Sequence, residues 1–274
     1  DFVLEGVQVA QAMPGRPVKT LWTREDDMRG LWYRPFVMSR VQAAVDAKGK
    51  PTAWQQSTIS QPVIKASPFA KFAIKADGID PSSVEGVVDM PYGIANLSVD
   101  LHDGNPTIPI QWWRSVGHSH TAFVVESALD ELAALGGQDP LEIRRGLLAE
   151  QPRHLAVLNA VAKMAKWQSK PPAGRARGIA LHASFGSIAA QVAEVSVSDG
   201  QVCVHRVWCA IDCGFAVNPD GVVAQMESGI IYGLSAALTG EITIESGRPI
   251  QGNFDTYPIV RINETPTIEV QIVA

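Results

Sequence analysis

Cysteine is scarce in this sequence, and its scarcity excludes several kinds of protein. The three cysteines are Cys203, Cys209 and Cys213. An odd number, with two of them four apart, is not a disulfide framework. Zinc or an iron–sulfur cluster needs Cys or His at paired spacings, and none occurs, so no cluster of the chain's own is expected. The expected use is as free thiols, buried as small apolar residues. If residues 201–212 form a strand, Cys203 and Cys209 share a face. Long apolar runs are also missing: no stretch reaches the ~18 residues of a membrane span. Positive charge is not in excess, with 23 basic and 28 acidic residues and a net charge of -5. That removes the electrostatic ground for a nucleic-acid partner. Without a Gly-x-Ser-x-Gly elbow or an evident Cys–His pair, nucleophilic chemistry has no support. Asp1 to Glu5 lack the basic start of a signal peptide. There is no initiator Met, and Ile272-Val273-Ala274 reads as the interior of a strand. Both ends therefore read as cut from a longer protein, and the compartment stays open.

What is present suits a folded chain. Of 274 residues 46% are apolar and 19% charged, enough for one large domain or two ordinary ones. Val3, Val7, Ala10 and Met13 predict a helix over 2–13, ended by Pro14-Gly15. Val18–Trp22 reads as a short strand. Phe36–Val45 and Thr52–Ile59 read as strands joined at Asp46-Ala47-Lys48-Gly49. Residues 60–90 carry no clear period, and Tyr92–Leu101 and Ile108–Trp113 look like strands. Ala122, Val125, Leu129 and Leu132 make the stripe of a helix from Ser119 to Leu135, stopped by Gly136-Gly137. Asp139-Pro140-Leu141-Glu142 opens another, and a third runs from Arg153 to Trp167. Residues 168–177, rich in Pro, Gly and charge, read as a linker. Beyond it Gly178–Phe185, Ile188–Val197 and Val202–Ile211 are strand-like, with Asp199-Gly200 as a hairpin signal. Asn218-Pro219 starts a helix with Val222, Met226, Ile230, Leu234 and Leu238 on one face. Glu241–Ile244 and Thr267–Val273 read as final strands. The expected class is α+β with mixed, mainly antiparallel strands and packed helices. It divides into a first lobe segment, residues 1–170, and a second β-rich lobe segment, residues 171–274, truncated at its C-terminus.

Several segments, in order along most of the chain, resemble one family. They are Lys19–Met28 with its Arg-Glu-Asp-Asp-Met turn, Tyr33-Arg34-Pro35, and Trp112-Trp113-Arg114-Ser115-Val116-Gly117-His118. Beyond these come Glu126–Arg144, Ile211-Asp212-Cys213-Gly214, Val217-Asn218-Pro219, Gln225-Met226-Glu227 and Asn253–Pro258. They are similar to the molybdopterin-binding large subunit of the xanthine dehydrogenase/aldehyde oxidase family. The Trp-Arg-Ser-Val-Gly form is closer still to the isoquinoline 1-oxidoreductase β-subunit group. The resemblance implies a molybdopterin-binding-domain-like fold and a molybdenum-pterin cofactor, in the bacterial forms usually with a cytosine dinucleotide. The implied reaction is hydroxylation of an electron-poor carbon in a small N-heterocycle or aldehyde, with water as oxygen source and a glutamate as base. Electrons would leave through a small [2Fe–2S] subunit, and the compartment would be the bacterial cytoplasm or periplasm. The base motif is expected downstream of this stretch, so no catalytic residue is assigned here and residues 1–274 alone are expected to be inactive. Whether they hold the cofactor alone stays open. A non-catalytic scaffold that keeps the fold without the cofactor is the alternative. Apolar surface meant for missing parts predicts self-association.

The resemblance points to Trp113, Arg114, Ser115, Val116 and Gly117 as the cofactor-binding stretch. Arg114 leads, because a planar guanidinium and adjacent amides suit an oxygen- and phosphate-rich group; the plain reading is a surface Arg. Gly117 permits close backbone approach, or is an ordinary turn glycine. Val116 stands where xanthine dehydrogenases carry a stacking Phe, which weakens a purine assignment. His118 and His120 read as polar positions at a helix start lining a cleft, not as metal ligands. Trp112 and Trp113 flank a pocket or pack in a core. Asn218 reads as an N-cap, with Asp212 at the other end of the same turn. Glu227, on a helix and followed by Ser228 where the family has Gly, is a poor candidate base. Phe185, in Ala-Ser-Phe-Gly-Ser, approaches the active site or packs in the core, and the core is the expected place.

Overall fold

The computed structural model describes residues 2–65, 67–105 and 108–273. Ala274, read with Ile272 and Val273 as strand, lies outside them. Helix α1 (Phe2–Ala12) buries none of its residues. Residues 17–22 run back along it without strand pairing, so the strand expected at Val18–Trp22 does not form. Its apolar residues serve as contacts instead: Trp22 meets Phe2 edge-on at 6.0 Å and donates to Glu5 at 2.9 Å. The Arg-Glu-Asp-Asp-Met turn is a helix, α2 (Arg24–Gly30), started by a reciprocal Thr23–Asp26 capping box.

Strands β1 (Val37–Val45) and β2 (Pro51–Ser60) form the expected hairpin. Asp46 closes its turn by accepting from the amides of Lys48 at 2.8 Å and Lys50 at 3.0 Å. After a short helix α3 (Ala70–Ala73) and a 3-10 turn at Pro81–Ser83, strand β3 (Asn96–Asp103) adds to β2 in parallel. Of the strand expected at Ile108–Trp113, one bridge remains, Ile110 to Tyr33.

Three helices follow, α4 (His118–Leu135), α5 (Pro140–Leu147) and α6 (Pro152–Met164). On α4 Val125, Leu129 and Leu132 are buried as the stripe predicts. Asp139 caps α5 by accepting from Leu141 and Glu142. Next come β4 (Ala176–Ser184), β5 (Ser187–Ser198) and β6 (Gln201–Asp212), then α7 (Pro219–Leu238). A two-residue hairpin, β7 (Ile244–Glu245) and β8 (Arg248–Pro249), replaces the strand expected over 241–244. Strand β9 (Thr267–Ile272) joins β6 in parallel, giving the order β4-β5-β6-β9. The turns at Phe185-Gly186 and Asp199-Gly200 have positive φ at both residues, 49° and 82°, then 51° and 75°, as tight hairpins need.

One face of this sheet packs Ile179, Leu181, Ala190 and Val192 against α4, α5 and α6 in a single core cluster drawn from both sides of residue 170. Each fully buried Leu or Val there contributes roughly 1.5–3 kcal/mol. The other face packs Val207 and Cys209 under Ile230 of α7. The cysteines do not share a face. His205 has no partner between the Glu194–Arg206 and Val195–Val204 pairs, and this bulge shifts the alternation. Cys203 is exposed and Cys209 buried, where burial pushes its thiol up to about 12. Across the interior, fully buried Arg144 of α5 donates to Glu126 of α4 at 2.9 Å and to Asp130 at 2.6 Å. Glu126 also accepts from the Tyr92 hydroxyl at 2.7 Å and the Leu181 amide at 2.9 Å. Burial opposes the Arg144 charge, and Glu126, Tyr92 and Asp130 more than offset it, so its pKa rises.

Candidate functional site

The stretch Trp113–Gly117 forms the turn before α4, closed by the Val116 amide donating to the Trp113 carbonyl at 2.9 Å. Val116 has φ 48°, a left-handed conformation that costs a β-branched residue about 1–3 kcal/mol. Gly117 follows at the helix N-cap. A Cβ there would stand 2.2 Å from the Ser82 carbonyl and 2.8 Å from Glu85 Cγ. The close approach that requires glycine is therefore to the protein's own backbone. The Gly117 amide is taken as well, donating to Glu85 Oε1 at 2.7 Å. Ser115 and Ser119 share a hydroxyl hydrogen bond at 2.6 Å. Arg114 is exposed, and among the described residues neither its guanidinium nor the amides of Arg114 and Ser115 have an acceptor.

Behind the turn lies a histidine cluster that joins distant segments. His118 Nδ1 and His182 Nε2 of β4 are hydrogen-bonded at 2.8 Å, and Glu85 Oε2 lies 3.9 Å from His118 Nε2. Burial, then the neighbouring His118, push His182 down to about 4 against a weaker pull from Asp89. His120 Nε2 donates to the Ser83 carbonyl at 2.9 Å, and burial lowers its pKa, which keeps it neutral at pH 7. No group of His, Cys, Asp or Glu able to hold a metal occurs among the described residues. Phe185 is not in the core: 74% exposed at its hairpin tip, it stands edge-on to His118 at 5.6 Å.

The turn forms one wall of a cleft of about 520 Å³ through Trp113, Val116, Ser119 and His120. Trp32 to Pro35 form a second wall, and Ile242, Ile244 and Tyr257 a third. The Arg34 guanidinium carbon lies over the Trp113 ring, 4.8 Å from its centroid, and Tyr232 approaches Trp113 at 6.5 Å. Trp112 is half-buried outside this lining.

Other residues singled out in the sequence lie elsewhere. Asp212 accepts from Arg153 at 2.8 and 2.9 Å and from the Gly214 amide at 2.9 Å. These bonds, Arg153 first, hold its carboxyl down at about 2. Asn218 caps α7 by accepting from the Gly221 amide. Gln225 and Glu227 are exposed on α7.

A family model described as a molybdopterin cofactor-binding domain matches residues 6–147, and a second of the same description matches residues 140–266. The chain belongs to the molybdopterin cofactor-binding domain family. It is 31% identical to the isoquinoline 1-oxidoreductase β-subunit of Brevundimonas diminuta, over 99% of this chain and 35% of that protein. It is 28% identical to a nicotinate dehydrogenase subunit of Pseudomonas putida, over 99% of this chain and 24% of that one. The chain thus spans between 24% and 35% of the length of these two relatives. Quinoline 2-oxidoreductase from Pseudomonas putida shares the fold with a TM-score of 0.78 at 14% identity, over 98% of this chain and 59% of the other. CO dehydrogenase from Oligotropha carboxidovorans does so with 0.79 at 10% identity, over 99% and 58%.

A molybdopterin group presents phosphate oxygens and the polar edge of a planar ring system. The chain has a donor set that fits such a group: one unpaired guanidinium at Arg114 and adjacent unpaired amides. The Gly117 amide, committed to Glu85, is not part of that set. Sequence reasoning misses Glu85, Ser82 and His182. They lie 32 or more residues away from the residues they contact, Gly117 and His118, and nothing in the local pattern marks them.

Proposed function

We propose that this chain is part of the molybdenum-cofactor-binding subunit of a hydroxylase that oxidises small N-heterocycles or aldehydes, with Trp113, Arg114, Ser115, Val116 and Gly117 as its cofactor-binding turn. The observation that carries the reading is the row of donors at Arg114 and Ser115, unpaired beside an aromatic cleft in a chain of this family. Arg114 and the two amides bind anionic oxygens of the cofactor. Gly117 and Glu85 act one step back, fixing the backbone so that those amides point outward. Trp113 and Val116 separate the donor row from the cleft, where Ser119 and neutral His120 provide polar contacts without charge. When bound, the group supplies the oxidising chemistry, in our reading from its cytosine dinucleotide form and with water as oxygen source. Electrons then pass to a separate iron–sulfur subunit. Residues 1–170 and 171–274 are the two lobe segments of this organisation, sharing one core.

The test is elemental mass spectrometry of the full-length gene product purified from its native host. Stoichiometric molybdenum, lost in Arg114→Ala, is the expected result. Well-folded protein without molybdenum, with its small subunit present, would overturn the reading and leave a scaffold that keeps the fold alone.

A further inference from the structure

The cleft beside the cofactor turn has an unusual charge balance for this chain. The whole sequence carries a net charge of -5, yet no carboxylate lines the cleft, and Arg34 is its one permanently charged side chain among the described residues. His120, also in the lining, is held neutral by burial. Arg34 makes no hydrogen bond or ion pair with any described residue. A guanidinium in a cleft without a counter-ion attracts an anion.

The local structure orients that cation. Tyr33 is pinned on both sides: its amide donates to the Pro109 carbonyl at 3.0 Å, and its carbonyl accepts from the Gln111 amide at 2.8 Å. Its hydroxyl donates to the Met28 carbonyl at 2.7 Å. Arg34 follows at once and precedes Pro35, which restricts its backbone to extended conformations. Its guanidinium lies over the Trp113 ring at 4.8 Å. Stacking uses the face of the guanidinium and leaves its in-plane N–H edge free. That edge is the part that matches a carboxylate with two parallel hydrogen bonds.

The remaining lining selects the rest of the ligand. Trp32, Tyr33 and Tyr257 are aromatic, and Ile108, Ile242 and Ile244 are apolar. Such walls suit a flat ring better than a sugar or a flexible chain. A volume of about 520 Å³ accommodates one or two fused rings. A single cation suits a monoanion; a phosphate dianion would need more donors than Arg34 offers.

We propose that this cleft binds an aromatic monocarboxylate, with the carboxylate on the in-plane edge of Arg34 and the ring between the aromatic and isoleucine walls. This deepens the function proposed above by assigning substrate class, and it rests on that reading only for the claim that the ligand is the one oxidised. The site itself is tested by binding.

Isothermal titration of the full-length protein with 2-naphthoate and with its neutral isostere 2-naphthamide compares the charge at constant shape. The acid should bind at least about tenfold more tightly than the amide. Arg34→Met should abolish that preference and leave the amide's affinity unchanged, while Arg34→Lys should keep part of it. Equal affinities for acid and amide in the wild type, no binding of either, or an unaltered preference in folded Arg34→Met would each overturn the inference. The wild-type comparison needs no variant to fold. Molybdenum content is measured on the same samples. Metal-loaded protein without acid preference sinks this inference alone, and metal-free protein with the preference sinks the function while leaving the site standing.

Discussion

Gly117 and Val116 sit side by side under opposite constraints. Gly117 has an ordinary φ of -66°, so a side chain there is excluded by space alone. With the Ser82 carbonyl 2.2 Å from where a Cβ would stand, Gly117→Ala must push two backbone segments apart. A loss of about 1–3 kcal/mol in urea unfolding is expected, together with loss of bound molybdenum. Wild-type stability in the alanine variant would show that the approach is looser than this distance implies. His182 adds a pH dependence. Its folded value of about 4 lies below the ordinary 6.5, so on acidification the unfolded chain takes up the proton first. The contribution is complete above pH 6.5 and is lost as pH falls toward 4. Its full size is on the order of 3 kcal/mol. His182→Gln should flatten the stability profile in that window relative to wild type, and a parallel profile would refute the assignment. His120 and His154 are also lowered by burial, so only the difference between the two profiles is diagnostic.

At the level of elements, legibility follows locality. The stripe of α4, the Asp139 and Asn218 caps and the Asp199-Gly200 turn are signals within a few residues, and the structure has all of them. The runs at Val18–Trp22, Ile108–Trp113 and 241–244 have strand-like composition, but a strand exists only where a partner edge is supplied. None is supplied to the first, and the second obtains a single bridge. The Thr23–Asp26 box is a local signal too, although α2 is short enough to read as a turn. The parallel pairings of β3 and β9 have no local signal at all. The Glu126–Arg144 clamp likewise joins α4, α5, β4 and Tyr92 through contacts 18 to 55 residues apart. Arg144→Met should cost about 3–5 kcal/mol, since it strands a buried carboxylate. Glu126→Gln, which keeps several of the hydrogen bonds, should cost less. Chemical denaturation of both variants gives the comparison, and equal small losses would mean the clamp is peripheral to stability.

For the whole molecule, the turn Trp113–Gly117 is legible through its resemblance to a family, whereas the cleft is not. Its walls come from residues 32–37, 108–120 and 240–257, brought together only by the fold. The surface bears on behaviour in solution. Phe2, Val7, Val9 and Met13 of the first residues and nearby Leu21 are all exposed, and clustered exposed apolar side chains favour association. This 274-residue chain should therefore self-associate as its concentration rises, and Val7→Asp with Val9→Asp should reduce it. Light scattering after size exclusion decides; a monomer at high concentration in the unaltered chain would contradict the expectation.

Both larger sheets are built alike, from antiparallel neighbours plus one parallel strand delivered from far along the chain. Adjacent hairpins close quickly, while a parallel strand must wait for a long loop to be drawn in. The segment that reaches Trp113 follows β3, and the segment carrying Tyr257 precedes β9. The cleft is thus assembled by the slowest closures in each half. Newly made chains should acquire their secondary structure before their ligand affinity, and the interval between the two is the time available for a cofactor to enter an open site.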